Sequence, residues 1–452
     1  MIVPTDRLLF WAAVVGLPGA AAAALNPAAS APVLALFAGF ALAAAADALF
    51  SLKGRSEVSF EFPPLVRMSR NRTAEVEFFA KNEGGRELHL RMALDFPGSI
   101  VPETDLLGFS VPGGGGRFRY VWPCRPTRRG SYVFRGCFFE LRSRLGFWDI
   151  RAKTDAAFEV RVYPDLHPER RNLAALFLRR GAFGLHAQRQ IGQGRDFEKL
   201  RDYVHGDSYE NIHWKATARR GHPITKVYQI ERTQEVYVIV DASRLSGRRV
   251  VTAHEAAEKK EETADTMLER QVTASLIMAS AAERFGDQFG VLAFSDRVQT
   301  FLRARRGPAH YRGCRDALYG LQPRMVNPDF DELAAFIGTR IRRRALLVFL
   351  TSLDDPVLSE SFMKSMELLS RRHLITVTMI RPEALLPLFS GPQPETTDDI
   401  YRRLAGHMML HDILELEKKL QRRGIRLSLA ASEALCTQLV SQYVSIKQRQ
   451  LL

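Results

Sequence analysis

Cysteine is scarce in this chain of 452 residues: there are four, Cys124, Cys137, Cys314 and Cys436. None forms a Cys-x-x-Cys pair and no spacing suits a zinc site, which excludes the common thiolate folds and redox motifs. Cys124 and Cys137 could pair, but a cytoplasmic location keeps such thiols reduced, so free, partly buried thiols are expected. Other chemical signatures are also missing. Gly113 to Gly116 lacks the following lysine and helix of a phosphate loop. No Gly-x-Ser-x-Gly elbow occurs. His407 and His411 have helical spacing, but no glutamate follows His407, so the zinc-protease motif is absent and two histidines on a solvated helix face are expected. His205, His213 and His222 are too far apart to share one helix face. Acidic residues are the minority charge, 50 against 64 lysines and arginines, for a net charge of +14. Excess base suits anionic lipid, an acidic protein or nucleic acid. The basic residues are scattered and lack a nucleic-acid recognition motif, so no nucleic-acid partner is expected. The run Arg342-Arg343-Arg344 precedes a strand and reads as a solvated end, with contact to lipid headgroups or an acidic partner as the alternative.

Hydrophobic residues make up 46% and charged residues 25% of the chain, an ordinary globular balance. The length suffices for two or three domains with cores of their own. The first fifty residues differ from the rest. Leu8 to Leu25 is apolar and uncharged, and Ala31 to Phe50 is a second apolar run with one charge, Asp47, near its end. Each approaches the roughly 20 residues that a helix needs to cross a bilayer. Asn26-Pro27-Ala28-Ala29-Ser30 between them is a turn by composition. Residues 1–55 therefore read as a transmembrane helical hairpin, with Asp47 near the lipid headgroups. Arg7 before it, and Lys53 and Arg55 after it, place both flanks in the cytoplasm. A cleaved signal peptide followed by a single anchor is one rival reading, and it leaves the body on the same side. A soluble protein with a buried Ala-rich hairpin is the other, disfavoured because two long apolar runs at the N-terminus rarely form a core.

Residues 56–165 read as short strands: Val58–Phe62, Ala74–Phe78, Leu88–Met92, Phe118–Trp122, Tyr132–Phe134, Cys137–Leu141 and Phe158–Tyr163. Alternation and turn spacing predict a β-sandwich. Residues 166–232 form a polar bridge with a pattern of its own. Residues 233–452 change period. Continuous apolar runs at Val236–Val240, Phe289–Phe294, Ala345–Leu350, Leu374–Ile380 and Ile425–Leu429 alternate with helical stretches at 263–284, 314–321, 328–340, 357–372, 396–423 and 432–448. That pattern predicts a mainly parallel sheet covered on both faces, with any ligand site at the carboxyl ends of its strands.

The bridge holds the most informative stretch, Gly194 to Gly221. His205-Gly206 reads as a turn, Asp207 as a helix cap with Glu210 completing a capping-box pattern, and a helix is expected from about Ser208 to Arg220. Tyr209, Ile212 and Ala216 would form its apolar face. Arg219 and Arg220 suit the last turn, Gly221 the carboxyl cap, and Pro223 bars continuation.

These residues resemble the bacterial family called domain of unknown function 58. Its hallmark is a Tyr-x-x-Gly-Asp turn followed by Ile-(Asp or His)-Trp-Lys-x-x-Ala-Arg. Tyr203, Gly206, Asp207, Ile212, His213, Trp214, Lys215, Ala218 and Arg219 match it, while Asn211 stands where the family more often has arginine. Arg128 to Tyr132, Leu145-Gly146-Phe147 and Val162-Tyr163-Pro164 also look like the family's upstream β-region. The resemblance implies a Rossmann-like α/β domain of the von Willebrand factor A type after the signature. It also implies cooperation with a MoxR-type AAA+ ATPase in chaperone-like or assembly tasks.

An A-type domain often binds Mg2+ through an Asp-x-Ser-x-Ser motif completed by distant Thr and Asp residues, all oxygen ligands for a hard cation. Asp241 and Ser243 keep the first two places, Leu245 stands in the third, and Arg244 brings a positive charge. After the third strand come Thr351-Ser352-Leu353-Asp354-Asp355, of which Asp354 or Asp355 could serve. A degenerate site of Asp241, Ser243 and Asp354 is expected, with Mg2+ possible but no cofactor required. The expected protein is thus a multi-pass component of the bacterial inner membrane with a cytoplasmic body. It is not an enzyme. Its partners are the lipid bilayer, the MoxR-type ATPase and other membrane or periplasmic assembly proteins. Tyr203, Gly206, Asp207, Trp214, Lys215 and Arg219 are the partner-binding or signature residues. An envelope-related hydrolase and a non-specific nucleic-acid binder are the alternatives.

Overall fold

The computed structural model describes residues 1–26, 30–52, 57–179, 191–192, 196–205, 207–229, 234–250, 265–382, 385 and 396–449. Pro27 to Ala29, Lys53, Arg55, Gly194 and Gly206, each part of an expectation above, lie outside them. The chain divides into two compact units, Met1–Asp165 and Leu166–Leu452.

The first unit opens with a short strand, β1 (Ile2–Pro4), and two long helices, α1 (Asp6–Leu25) and α2 (Ser30–Leu52). Thr5 caps α1 by accepting a hydrogen bond from the Leu8 amide at 3.4 Å. Both helices are long and apolar enough to cross a membrane, and α1 has no buried residue. Nine strands follow: β2 (Val58–Glu61), β3 (Leu65–Ser69), β4 (Ala74–Asn82), β5 (Leu88–Leu94), β6 (Ile100–Pro102), β7 (Leu107–Val111), β8 (Arg117–Pro126), β9 (Gly130–Arg142) and β10 (Trp148–Tyr163). One sheet runs β1-β10-β9-β5-β7 with β3 also paired to β10, and a second runs β2-β4-β8-β6. Alternation along β4 and β8 sends Val76, Phe78, Trp122 and Cys124 into one buried apolar cluster. Met92, Phe134, Cys137, Phe158 and Val160 of the larger sheet join it. β1 was not legible as a strand. It pairs antiparallel with β10, Ile2 opposite Ile150.

The second unit begins with α3 (His167–Arg179), β11 (Ile191–Gly192), β12 (Asp196–Asp202), α4 (Trp214–Arg220) and β13 (Ile224–Gln229). β11, β13 and β12 form a small antiparallel sheet in that order. Then come β14 (Glu235–Asp241), the two-residue strands β15 (Arg249–Val250) and β16 (Asp265–Thr266), and α5 (Met267–Arg284). They are followed by β17 (Gln288–Phe294), β18 (Val298–Arg305), α6 (Pro308–Leu318), α7 (Phe330–Arg340) and β19 (Ala345–Leu350). The unit ends with α8 (Pro356–Ser370), β20 (Leu374–Ile380), α9 (Thr397–Arg422), β21 (Arg426–Ala430) and α10 (Leu435–Gln448).

The main sheet runs β18-β17-β14-β19-β20-β21. Every pairing is parallel except β17 with β18. Every residue of β14 is buried, as its uninterrupted apolar run demands. Its even and odd positions serve opposite layers. Val236, Val238 and Val240 pack with Val272 and Ile277 of α5 and Leu439 of α10, while Tyr237 and Ile239 pack with residues of α7, α8 and α9. The connection leaving β14 thus covers one face and the connection leaving β19 covers the other. The carboxyl ends of β14 and β19 therefore flank the switch point of the sheet, where α/β folds open a crevice.

Candidate functional site

At that switch point β14 ends in Asp241, which is wholly buried. Its Oδ2 accepts a hydrogen bond from the Thr351 hydroxyl just past β19, at 2.6 Å, and its Oδ1 accepts the Ser243 amide at 2.8 Å. Burial raises the Asp241 carboxyl above its ordinary value, and the bonds from Thr351 and Ser243 only partly offset this. The Ser243 hydroxyl is buried as well and accepts the Leu245 amide at 3.4 Å, opening a short 3-10 turn over Arg244–Gly247. Leu245, in the place of a third hydroxyl ligand, is buried. Asp354 lies in the loop after β19 and is ion-paired with Arg248. Arg244, expected beside the carboxylates, instead donates to the Asn327 side chain.

A hard divalent cation takes six or more oxygens, several of them water, and needs a few protein oxygens free to turn toward one point. Here both oxygens of Asp241 are engaged within the protein, the Ser243 hydroxyl is held by a backbone amide, and a guanidinium faces Asp354 Oδ2, which leaves Asp354 Oδ1 as the one buried oxygen of the set with no partner among the described residues. Among the described residues, no group of three or more His, Cys, Asp or Glu gathers at one place. This donor set does not fit the ion, and no chemistry is derived through it. Thr351 is the residue that sequence reasoning missed. It lies 110 positions from Asp241, and only the pairing of β14 with β19 brings the two together.

The signature segment has the opposite character. Asp207 does not cap a helix: its Oδ1 takes the Arg201 guanidinium at 2.6 Å and its Oδ2 takes the Val204 amide at 3.1 Å, which closes the turn after β12. The expected single helix from Ser208 is two pieces, a 3-10 turn over Tyr209–Asn211 and then α4. His213 is the cap of α4, its Nδ1 accepting the Ala216 amide at 3.1 Å. The predicted start failed because Asp207 is spent on Arg201, so an imidazole supplies the capping acceptor instead. The carboxyl end is as expected. Gly221 adopts the left-handed conformation, with φ of 74°, and its amide bonds back to the Thr217 carbonyl.

Of the expected apolar face only Ile212 is buried, in an isolated bridge to Thr225. Tyr209 is 74% exposed and Trp214 is 69% exposed, and Lys215, Ala218 and Arg219 are exposed too. Tyr203 stacks on Tyr209 with ring centroids 6.0 Å apart. Partial burial, then the neighbouring Tyr209 hydroxyl, raise its phenol above the usual value. His222 closes the segment by pairing with Asp202 at 2.9 Å. The result is a small, internally tied platform that presents an indole and two cations to solvent. His407 and His411 are exposed on α9, as expected.

All four cysteines are free and buried. Burial pushes the Cys124 thiol up to about 11 and the Cys137 and Cys314 thiols up to about 12, so none is poised as a nucleophile near neutral pH.

No curated protein matches the chain. Among solved structures it is similar to conserved hypothetical protein BatB from Bacteroides thetaiotaomicron, at 10% identity over 48% of this chain and 99% of that chain, with a TM-score of 0.28. It is similar to the VWA domain of SpRpn10, at 11% identity over 46% of this chain and 95% of that one, TM-score 0.27. It is also similar to PapD-like domain 7 of human CEP192, at 10% identity over 24% of this chain and 87% of that one, TM-score 0.18. A family model described as "Protein of unknown function DUF58" matches residues 199–391, from the signature to just past β20. By that match, residues 199–391 of this chain belong to the DUF58 family.

Proposed function

We propose that this protein is a membrane-anchored binding and assembly factor that works with a MoxR-type AAA+ ATPase and catalyses no reaction of its own. In this reading α1 and α2 are a transmembrane hairpin. The nine strands after them are a β-sandwich, and the α/β unit is a Rossmann-like domain of the von Willebrand factor A type with a closed, degenerate metal site. The body faces the cytoplasm of a bacterium from its inner membrane, because Arg7 precedes the hairpin and Lys53 and Arg55 follow it.

One observation carries the reading. The signature residues Trp214, Lys215 and Arg219 are exposed on a short helix fixed at both ends, while the carboxylate at the sheet switch point is sealed. A large aromatic flanked by cations, held rigid and solvent-facing, is the composition of an interface anchor. The test is a crosslinking pull-down from native membranes, using the full chain and its Lys215→Ala and Trp214→Ala variants. Loss of the MoxR-type ATPase from the captured material is expected. Undiminished capture by both variants contradicts the surface assignment.

A further inference from the structure

The carboxyl end of α2 is fastened to the hairpin loop between β9 and β10. Ala44, Asp47 and Ser51 fall on one buried face of the helix. The Asp47 carboxylate accepts the Ser143 hydroxyl at 2.6 Å and the Leu145 amide at 3.0 Å. Ser51 Oγ accepts the Arg144 amide at 3.2 Å, and the Trp148 indole donates to the Ala44 carbonyl at 2.8 Å. From the other helix, Thr5 Oγ1 donates to the Gly146 carbonyl at 2.6 Å. Phe40 packs on Phe147 with ring centroids 5.8 Å apart. Gly146 has a φ of 76°, a turn conformation that favours glycine.

Length now fixes the level of this loop. If the bilayer ended where the loop begins to cover α2, near Ala44, the apolar stretch from Ser30 would span only about 21 Å, short of the roughly 30 Å hydrocarbon layer. Leu49 and Phe50, 68% and 58% exposed, would then stand in water. Carrying the boundary to Ser51 brings the span to about 32 Å and covers both side chains. The loop, bonded to Asp47 and Ser51, must then lie at the same depth. Trp148 matches the aromatic belt of membrane interfaces, Leu145 is 55% exposed there, and the Arg144 guanidinium sits 6.0 Å over the Phe50 ring. Arg7, also exposed, lies against Gly146.

We propose that the 143–148 loop is an interfacial membrane-binding element: Leu145 enters the acyl boundary, and Arg144 and Arg7 engage the phosphates of anionic phospholipid headgroups. The proposal rests on the membrane reading of α1 and α2, and goes beyond it by placing part of the β-region in the lipid.

The test uses the full chain reconstituted in vesicles, with an environment-sensitive fluorophore on an introduced thiol, the four native thiols being buried. Three positions are compared: Leu145→Cys in the loop, Leu42→Cys inside α2, and Val133→Cys on β9, about 30 Å along the strand from the loop. Brominated acyl chains should quench the first two probes and spare the third. In vesicles mixing phosphatidylglycerol and phosphatidylcholine, quenching at the Leu145 site should be at least twofold stronger with the bromine on phosphatidylglycerol than with it on phosphatidylcholine, and Arg144→Gln should abolish that difference. An unquenched Leu145 probe beside a quenched Leu42 probe overturns this inference alone. An unquenched Leu42 probe overturns the membrane reading beneath it. Equal quenching by the two brominated lipids overturns the assignment to anionic headgroups.

Discussion

Two places in the second unit attract attention from sequence, and they have opposite characters. At the carboxyl ends of β14 and β19, Asp241, Ser243 and Thr351 are buried and bonded to one another, and Asp354 is neutralised by Arg248. On the signature platform, Asp207 and His213 are consumed in holding a turn and a helix, and that scaffold leaves Trp214, Lys215 and Arg219 facing water. At the first site Asp241, Ser243 and Thr351 satisfy each other, and only Asp354 Oδ1 is buried with no partner among the described residues of the site. The polar groups of the second support a surface whose apolar and charged groups face water. Motif recognition alone treats the two as equals, whereas burial and hydrogen-bond partners separate them.

The contrast can be broken most forcefully at Asp241. Replacing it by alanine strips partners from the Thr351 hydroxyl and the Ser243 amide inside the core, and should cost about 2–3 kcal/mol in chemical denaturation. Asn at the same position should be far milder, because burial already disfavours the charged form. With a folded pKa above the unfolded value, the stabilising effect of this carboxyl is full at low pH and fades as pH rises through the folded pKa. The Asp241→Asn variant should lose that part of the pH dependence.

A second effect comes from the opposite end of the same sheet. His373, just before β20, is buried, and neither ring nitrogen has a hydrogen-bond partner among the described residues. Burial first, then Arg372, lowers its pKa to about 4. The unfolded chain therefore binds the proton more readily, and stability should fall as pH drops from about 6.5 toward about 4, by between about 1 and 3 kcal/mol. The His373→Phe variant should flatten that acid limb in denaturation curves recorded at several pH values. An unchanged limb would assign it to other groups.

The smallest effect on stability belongs to the platform. Trp214→Ala should lower the unfolding free energy by no more than about 0.5 kcal/mol, as expected for an exposed side chain that neither caps α4 nor enters the core. A loss of 2 kcal/mol or more, on the scale expected for core damage, would mean that the indole holds the segment together and is not free to dock.

Much of the fold was legible. The two apolar helices appear within a few residues of their expected ends, and the strands Ala345–Leu350 and Leu374–Ile380 appear as expected, because continuous apolar runs have few structural solutions. The half-exposed elements were not legible. β18 closes the main sheet as an antiparallel edge, but its sequence, Val298 to Arg305, mixes arginines with apolar residues and gives no clean period. β3 is recruited by parallel pairing with the end of β10, some ninety residues away, and local pattern carries no trace of that. At the sites, the hydrogen-bond partners were not legible. Asp207 looked like a helix cap because Arg201 was not known to be its neighbour. Asp47 gave no sign of its bonds to a loop almost a hundred positions later. Pairing outside the local pattern decides such roles.

The most direct measurement is the affinity of the purified full chain for the MoxR-type ATPase, compared among the wild type, Trp214→Ala and Asp241→Asn. The account predicts at least a tenfold loss, about 1.4 kcal/mol, for Trp214→Ala and no more than about a twofold change for Asp241→Asn. Binding that survives Trp214→Ala and collapses with Asp241→Asn would contradict it, and would move the working surface to the end of the sheet.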